Sequence, residues 1–261
     1  MHKFILLFFL CGFLLCQPLT AQKTIVQGKP TLQDLYPNKS GNLLLSTLSL
    51  SFPGMLDNTN ATDTIRIYNN GTYEIGLELS NPNKNITAEL SSKSIRPKSE
   101  VLMKVMYDAK TAGDYGLLLH QVFLMTTDSI KPKKEIFIST IVEPYFAPMT
   151  SADSANAPRI QIGEMVYDFG KAKEGTFVEH AVKITNTGKS DLKILSIKPS
   201  CSCLGAEMQK KVLAPGESAP IQLTYNTTRK GGPESKDVTL YSNDPFLSKT
   251  AITVKGEVVP Q

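Results

Sequence analysis

Beyond the first forty or so residues, apolar and polar side chains alternate in short runs. The run "HAVKITNTG" sets Val182 and Ile184 against Lys183 and Thr185, then ends in Asn186-Thr187-Gly188. "PIQLTYNTT" alternates Ile221, Leu223 and Tyr225, and "DVTLYSND" alternates Val238, Leu240 and Ser242. "TAITVKGEV" alternates Ile252 and Val254 before Gly256, and "DLKILSIKP" carries Leu192, Ile194 and Ile197 across a small slip. A period of two marks a strand with one buried face. No stretch repeats apolar residues at three and four over two turns, as an amphipathic helix would. The pattern predicts an all-β chain.

The chain also repeats itself. "TIRIYNNGTYEIGLEL" resembles "AVKITNTGKSDLKILSI", and "IRPKSEVLMKVMYDAKTAG" resembles "LAPGESAPIQLTYNTTRKG". "VFLMTTDSIKPKKEIFISTIV" resembles "VTLYSNDPFLSKTAITVKGEV". Phe52-Pro53-Gly54 matches Asp168-Phe169-Gly170. One fold used twice explains a constant offset, and each copy has the length and turn spacing of an immunoglobulin-like β-sandwich. The organisation read from this is a signal peptide over 1–21, a polar leader over 22–42, a diverged sandwich over 43–142, a linker over 143–159 and a second sandwich over 160–261.

The start, "MHKFILLFFLCGFLLCQPLTAQ", has the basic, apolar and small-residue order of a secretory signal, with cleavage expected between Ala21 and Gln22. The apolar run is short for a membrane span. Cys16 raises lipidation as the minor alternative, since Leu15 stands where a small residue is wanted. An exported chain, periplasmic or secreted, follows, with no transmembrane segment after cleavage. The 28 basic residues nearly balance 24 acidic ones, so no nucleic-acid footprint is expected. "KPKK" at 131–134 reads as a solvated hairpin tip.

The second copy resembles a known family through Phe169-Gly170, Asn186-Thr187-Gly188, Cys201-Ser202-Cys203, Pro215-Gly216-Glu217 and Ser242-Asn243-Asp244-Pro245. It looks like a bacterial exported domain of unknown function within the Hydin-like and major-sperm-protein-like sandwiches. The resemblance implies two tandem immunoglobulin-like domains and a cell-envelope setting, and it implies no reaction. The first copy keeps Asn70-Gly71 and Arg96-Pro97 but has no cysteines. Each motif also has a plain structural reading. Asn-x-Gly, with Asn186 and Gly188, supplies a left-handed turn position. Pro215 and Gly216 form a turn in which glycine takes the strained dihedral. Asn243 and Asp244 end a strand with side-chain-to-backbone bonds.

Chemistry is sparse. His120 and His180 fall at different positions of the two copies and read as strand histidines. No metalloprotease, nucleophile-elbow or phosphate-loop motif is present, and no cofactor is expected. Cys201 and Cys203 stand at i and i+2 near a strand end. An extended backbone would hold two parallel thiols about 6.6–7 Å apart at Cα, at the edge of disulfide reach. Three readings stay open: packed thiols, a short disulfide if the chain bends at Ser202, and a soft-metal site. Three Asp-Ser/Thr-aliphatic triplets, at Asp63, Asp128 and Asp153, resemble an O-glycosylation signal of some bacterial envelopes. The leading function is a non-enzymatic binding or scaffolding protein whose partners are other envelope proteins, held by edge-strand addition. Alternatives are a periplasmic soft-metal or thiol-redox module at Cys201 and Cys203, and a carbohydrate-binding module stacking sugars on Tyr36, Tyr73 or Tyr115. Oligomeric state is not legible at this stage.

Overall fold

The structure, a computed structural model, describes residues 29–80 and 83–260. The expected signal peptide, its Ala21–Gln22 cleavage point and Cys16 lie outside the described residues. Among the described residues no helix is long and apolar enough to cross a membrane.

The first part contains β1 (Asn38–Ser40), β2 (Leu43–Leu45), β3 (Ser49–Ser51), β4 (Met55–Leu56), β5 (Asn60–Asn69), β6 (Ile75–Ser80), β7 (Ile86–Leu90), β8 (Ser94–Ile95), β9 (Glu100–Asp108), β10 (Gly116–Thr126) and β11 (Lys133–Glu143). The second contains β12 (Ile160–Ile162), β13 (Val166–Lys173), β14 (Phe177–Asn186), β15 (Leu192–Pro199), β16 (Leu204–Glu207), β17 (Val212–Leu213), β18 (Ser218–Asn226), β19 (Gly232–Ser242) and β20 (Lys249–Val259). Two short helices lie outside the sheets, α1 (Leu32–Leu35) and α2 (Ser151–Asn156).

Both parts are β-sandwiches of one topology. One sheet of the first runs β1-β2-β5-β9-β7, matched in the second by β12-β14-β18-β16. The other runs β3-β11-β10-β6-β8, with β4 also on β11, matched by β13-β20-β19-β15-β17. Even the registers correspond: Leu43 opposes Asn69 as Ile160 opposes Asn186. Ladders are antiparallel except where β3 and β4 lie parallel to β11, and β13 to β20. The alternating residues do what the pattern requires. Ile65, Ile67, Met103 and Val105 close on Val122, Leu124, Ile136 and Ile138 in the first core. Val182, Ile184, Ile221 and Leu223 close on Val238, Leu240, Ile252 and Val254 in the second. The slip read in "DLKILSIKP" is a register shift between Ile194 and Ser196 on β15.

Two segments are more ordered than their composition suggests. In the expected leader, Thr31 and Asp34 cap α1 reciprocally, and β1 then pairs with β2. Tyr36 is buried, stacks on Tyr68 and donates its hydroxyl to Glu100. The reason is β2 itself, whose three leucines are all buried and need cover. In the expected linker, Thr150 and Asp153 form a second capping box on α2, and Ala157 and Pro158 are buried.

The sandwiches touch through the loop before β10. Asp114 accepts hydrogen bonds from Ser196 Oγ at 2.7 Å and Lys198 Nζ at 2.5 Å. The Tyr115 ring stacks 6.3 Å from that of buried Tyr241. Gly116, at φ +83°, passes so close that a Cβ would lie 3.0 Å from the Tyr241 ring. Lys249 pairs with Glu143 at 3.2 Å. Asp57 accepts from the Tyr115 hydroxyl at 2.8 Å and from Tyr145 N–H at 2.9 Å, so one carboxylate holds both the loop and the chain leaving β11.

Candidate functional site

The turn between β15 and β16 is a bend, not an extended strand. Leu204 N–H donates to Cys201 C=O at 3.3 Å. This brings the cysteine Cα atoms to 5.2 Å, and the two sulfurs are bonded. The reading as packed free thiols is therefore corrected, and so is the soft-metal reading, because neither sulfur is a thiolate donor. The disulfide is half-buried and packs against the second core.

The first sandwich makes the same turn with Asn83-Lys84-Asn85. Ile86 N–H donates to Asn83 C=O at 3.2 Å, as Leu204 does to Cys201. Asp108 N–H donates to Asn85 C=O at 2.8 Å, as Asn226 does to Cys203 at 2.9 Å. Asn83 Oδ1 accepts from Asn85 N–H at 2.8 Å, an Asx bond where the second copy has a covalent one. Asn83 Nδ2 lies 2.6 Å from His120 Nδ1. The His120 ring stacks on Tyr107, and its Nε2 is 3.2 Å from the Tyr107 hydroxyl. Burial holds the His120 imidazole below its usual pKa. Tyr225, the counterpart of Tyr107, opposes Leu204 as Tyr107 opposes Ile86. Burial, then the Glu234 carboxylate, pushes its hydroxyl up to about 12. Sequence alone misses this correspondence, because Asn-x-Asn and Cys-x-Cys share no cysteine and no chemistry.

His180 lies on the other sandwich. Its Nε2 is 2.7 Å from Glu164, and its ring stacks flat on Tyr167 at 3.7 Å. Among the described residues no three His, Cys, Asp or Glu side chains gather to hold a metal. Nor do the three candidate tyrosines form a sugar platform. Tyr36 is buried, Tyr115 lies between the sandwiches, and exposed Tyr73 bonds Asn42 and Ser129.

The motif residues build turns, one of them differently from expectation. Neither Gly71 nor Gly188 has positive φ. Asn186 supplies the chemistry: its Nδ2 donates to Ser190 and Leu213 C=O, and its Oδ1 accepts from Gly188 N–H. Glycine follows because a Cβ at 188 would sit 2.4 Å from Ala157 C=O. Gly216, after Pro215, does take φ +78°, and Lys98 holds the same place in the first copy at φ +54°. Asn243 bonds Asp191 and Lys193, while buried Asp244 accepts from Ile160 and Phe246 N–H. Asp128 is its counterpart and accepts from Asn42 and Ile130 N–H. Lys134 is also fully buried and pairs with Asp128 at 2.7 Å, so the expected solvated tip is corrected for that residue. In the entrance motif, the Phe169 ring covers Gly256, where a Cβ would lie 2.4 Å from it. Of the three triplets, Thr64 is inside β5, Ser129 is an exposed turn residue and Ser154 is in α2.

One feature serves no turn and no core. On the outer face of β10 and β11, Leu117, Leu119, Phe137 and Ile141 are 59%, 72%, 48% and 42% exposed. Leu117 lies directly opposite Ile141, and Phe137 opposes Gln121 one step from Leu119. The matching positions of β19 and β20 carry Pro233, Ser235, Thr253 and Glu257.

Two tandem sandwiches, with no metal-holding cluster among the described residues, define a chain of immunoglobulin-like architecture. Residues 160–258 match the model of a family described as a protein of unknown function, DUF1573. No curated protein matches the chain. Among solved structures, the chain is similar to a protein of unknown function from Porphyromonas gingivalis W83, at 16% identity and a TM-score of 0.58. That likeness covers 83% of this chain and 100% of that one, and shows the fold. Slighter likenesses are to the ASH/PapD-like domain 7 of human CEP192 (13% identity, TM-score 0.35, 45% and 94% covered) and to the periplasmic chaperone SfaE (13%, 0.30, 83% and 100%).

Proposed function

We propose that this chain is a non-enzymatic binding or scaffolding protein of the bacterial cell envelope, acting through protein–protein contacts of its first sandwich. The observation that carries this is the apolar face of Leu117, Leu119, Phe137 and Ile141. A contiguous exposed apolar face marks an interaction site more often than a structural need. The second sandwich has the same topology and carries Pro, Ser, Thr and Glu at these positions, so the fold does not require bulky apolar residues there. The N-terminal signal pattern supports the envelope setting. The test is comparative capture from an envelope extract with the mature chain and a Leu119→Asp/Phe137→Lys variant, both shown to be folded by circular dichroism. Specific partners lost only from the variant support the reading. Identical captured sets from both proteins reject it.

A thiol-redox role is the second reading, favoured by one observation: the half-buried disulfide flanks exposed Ser202 at a turn. Oxidation of a dithiol peptide by the mature chain, lost in Cys203→Ser, would establish it.

A further inference from the structure

We infer that the first sandwich accepts one extended peptide segment in the slot between β6 and β7, with apolar side chains turned inward and basic ones outward. The inference goes beyond the apolar face above and concerns a second, separate site on the same sandwich.

The slot is an opening of about 640 Å³ at the edge of the sandwich. Leu77 and Leu79 of β6 and Ala88 and Leu90 of β7 line it, with Glu78, Glu89 and Lys93 at the rim. Leu79, Ala88 and Leu90 are only half-buried, although they pack against the core. The edge of β6 is open here. β8 pairs only with Ile75 and Gly76, and Leu77 N–H then donates to Lys93 C=O at 2.8 Å. On the other side β10 pairs Leu77 to Ser80. Thr127 N–H donates to Gly76 C=O, which turns the backbone groups of residues 76, 78 and 80 toward β10. Those of Leu79 therefore face the slot, and among the described residues no strand pairs with Leu79 there. An open strand edge beside an apolar hollow is the arrangement that accepts an added strand.

The second sandwich differs at one corner of this edge. Ile197, Leu204, Ala206 and Met208 stand where the first has Leu79, Ile86, Ala88 and Leu90. Met208 is 2% exposed, and the Cys201–Cys203 disulfide packs on the same core. Ile197 and Ala206 are half-buried like Leu79 and Ala88, so the copies differ here at half-buried Leu90 against buried Met208. Charge selects the occupant. Glu78 and Glu89 are exposed and form no ion pair among the described residues, while Lys93 stands at the β8 end. A segment alternating aliphatic residues with Lys or Arg matches both the floor and these two carboxylates.

The test uses the mature chain and a fluorescein-labelled peptide of about ten residues, long enough for one strand, alternating Val or Leu with Lys. Controls carry a central Pro, or Glu in place of every Lys. Binding is read by anisotropy, and amide exchange reads where the peptide sits. The Lys peptide is expected to bind at least about tenfold tighter than either control and to slow exchange in β6 and β7. Leu79→Pro removes a donor that the β10 ladder does not use, and should weaken binding by at least about tenfold. Glu78→Lys/Glu89→Lys, on exposed positions, should reverse the preference between the Lys and Glu peptides, and it keeps the test decisive if the proline variant fails to fold. Leu119→Asp should leave peptide binding unchanged, which separates this slot from the apolar face. Failure to bind, equal binding of the proline peptide, unchanged exchange in β6 and β7, or no change in preference on charge reversal would overturn the inference.

Discussion

Asn69 and Asn186 make the same three hydrogen bonds in two different sandwiches. Asn69 Nδ2 donates to Tyr73 and Ile95 C=O at 2.8 and 3.0 Å, and Gly71 N–H donates to its Oδ1 at 2.8 Å. Asn186 repeats this with Ser190, Leu213 and Gly188 at 2.8, 2.9 and 2.9 Å. Both side chains are fully buried, and each ties the turn to the strand edge behind it. Asn186→Ala leaves the buried Leu213 carbonyl, the Ser190 carbonyl and the Gly188 N–H without this partner. Urea unfolding should show a loss of about 3 kcal/mol from the second sandwich, with a similar loss from the first for Asn69→Ala.

Lys134 and Asp128 are a fully buried ion pair, so removing one partner is costly. Burial pushes the Asp128 carboxyl up, but the Lys134 ammonium and the Asn42 and Ile130 N–H groups outweigh it and hold it below its ordinary value. A depressed carboxyl contributes stability above its unfolded pKa and loses it as pH falls through the folded one. In Lys134→Met the Asp128 charge is stranded, at a cost of roughly 3–5 kcal/mol near neutral pH. That deficit should shrink on acidification toward roughly pH 4, where the stranded carboxyl takes a proton. Unfolding free energies of both proteins at the two pH values check this.

Reducing Cys201–Cys203 should leave the second sandwich folded. The closed loop is tiny, so the chain-entropy contribution is about 1–2 kcal/mol. The first sandwich holds the same turn without a disulfide, with Asn83 bonded to Asn85 N–H and close to His120. Calorimetry with and without a phosphine reductant should show the melting point fall by several degrees, about 4–8 °C per kcal/mol, with cooperativity retained.

The contact between sandwiches depends on Asp114. Burial pushes its carboxyl up, but Lys198 and Ser196 outweigh that and hold it below the ordinary carboxylate range. Docking is therefore complete at neutral pH and weakens as pH falls through the depressed value. Small-angle scattering should report a larger radius of gyration below roughly pH 4, and Asp114→Ala should show the same expansion at pH 7.

The strands were legible because burial imposes a period of two that few other forces disturb. Val238 and Leu240, read as inward-facing, are both fully buried. Side chains that bond across long sequence distances were not legible. Lys134 stands in phase with buried Ile136 and Ile138, but a lysine there reads as solvated until the carboxylate that pairs with it, in the turn before, is placed. The role of Asn186 was obscured for the same reason, because its partner Leu213 belongs to another strand. Of the candidate site, the cysteine positions were visible, and the bend that joins them came only with the backbone. The apolar face and the slot were hidden because an outward leucine and an inward one look alike until the sheet is assembled.

Parallel pairing of the entry strand with the exit strand sets the order in which this protein can mature. β13 is the first strand of its sheet in chain order and β20 the last, and the two lie side by side. The strand that completes this sheet thus leaves the ribosome after all its other strands, and contacts so distant in sequence form slowly. β3 and β11 impose the same rule on the first sandwich, whose final strand emerges a whole copy earlier. During synthesis the first sandwich can therefore seal itself while the second is still an unfinished sheet.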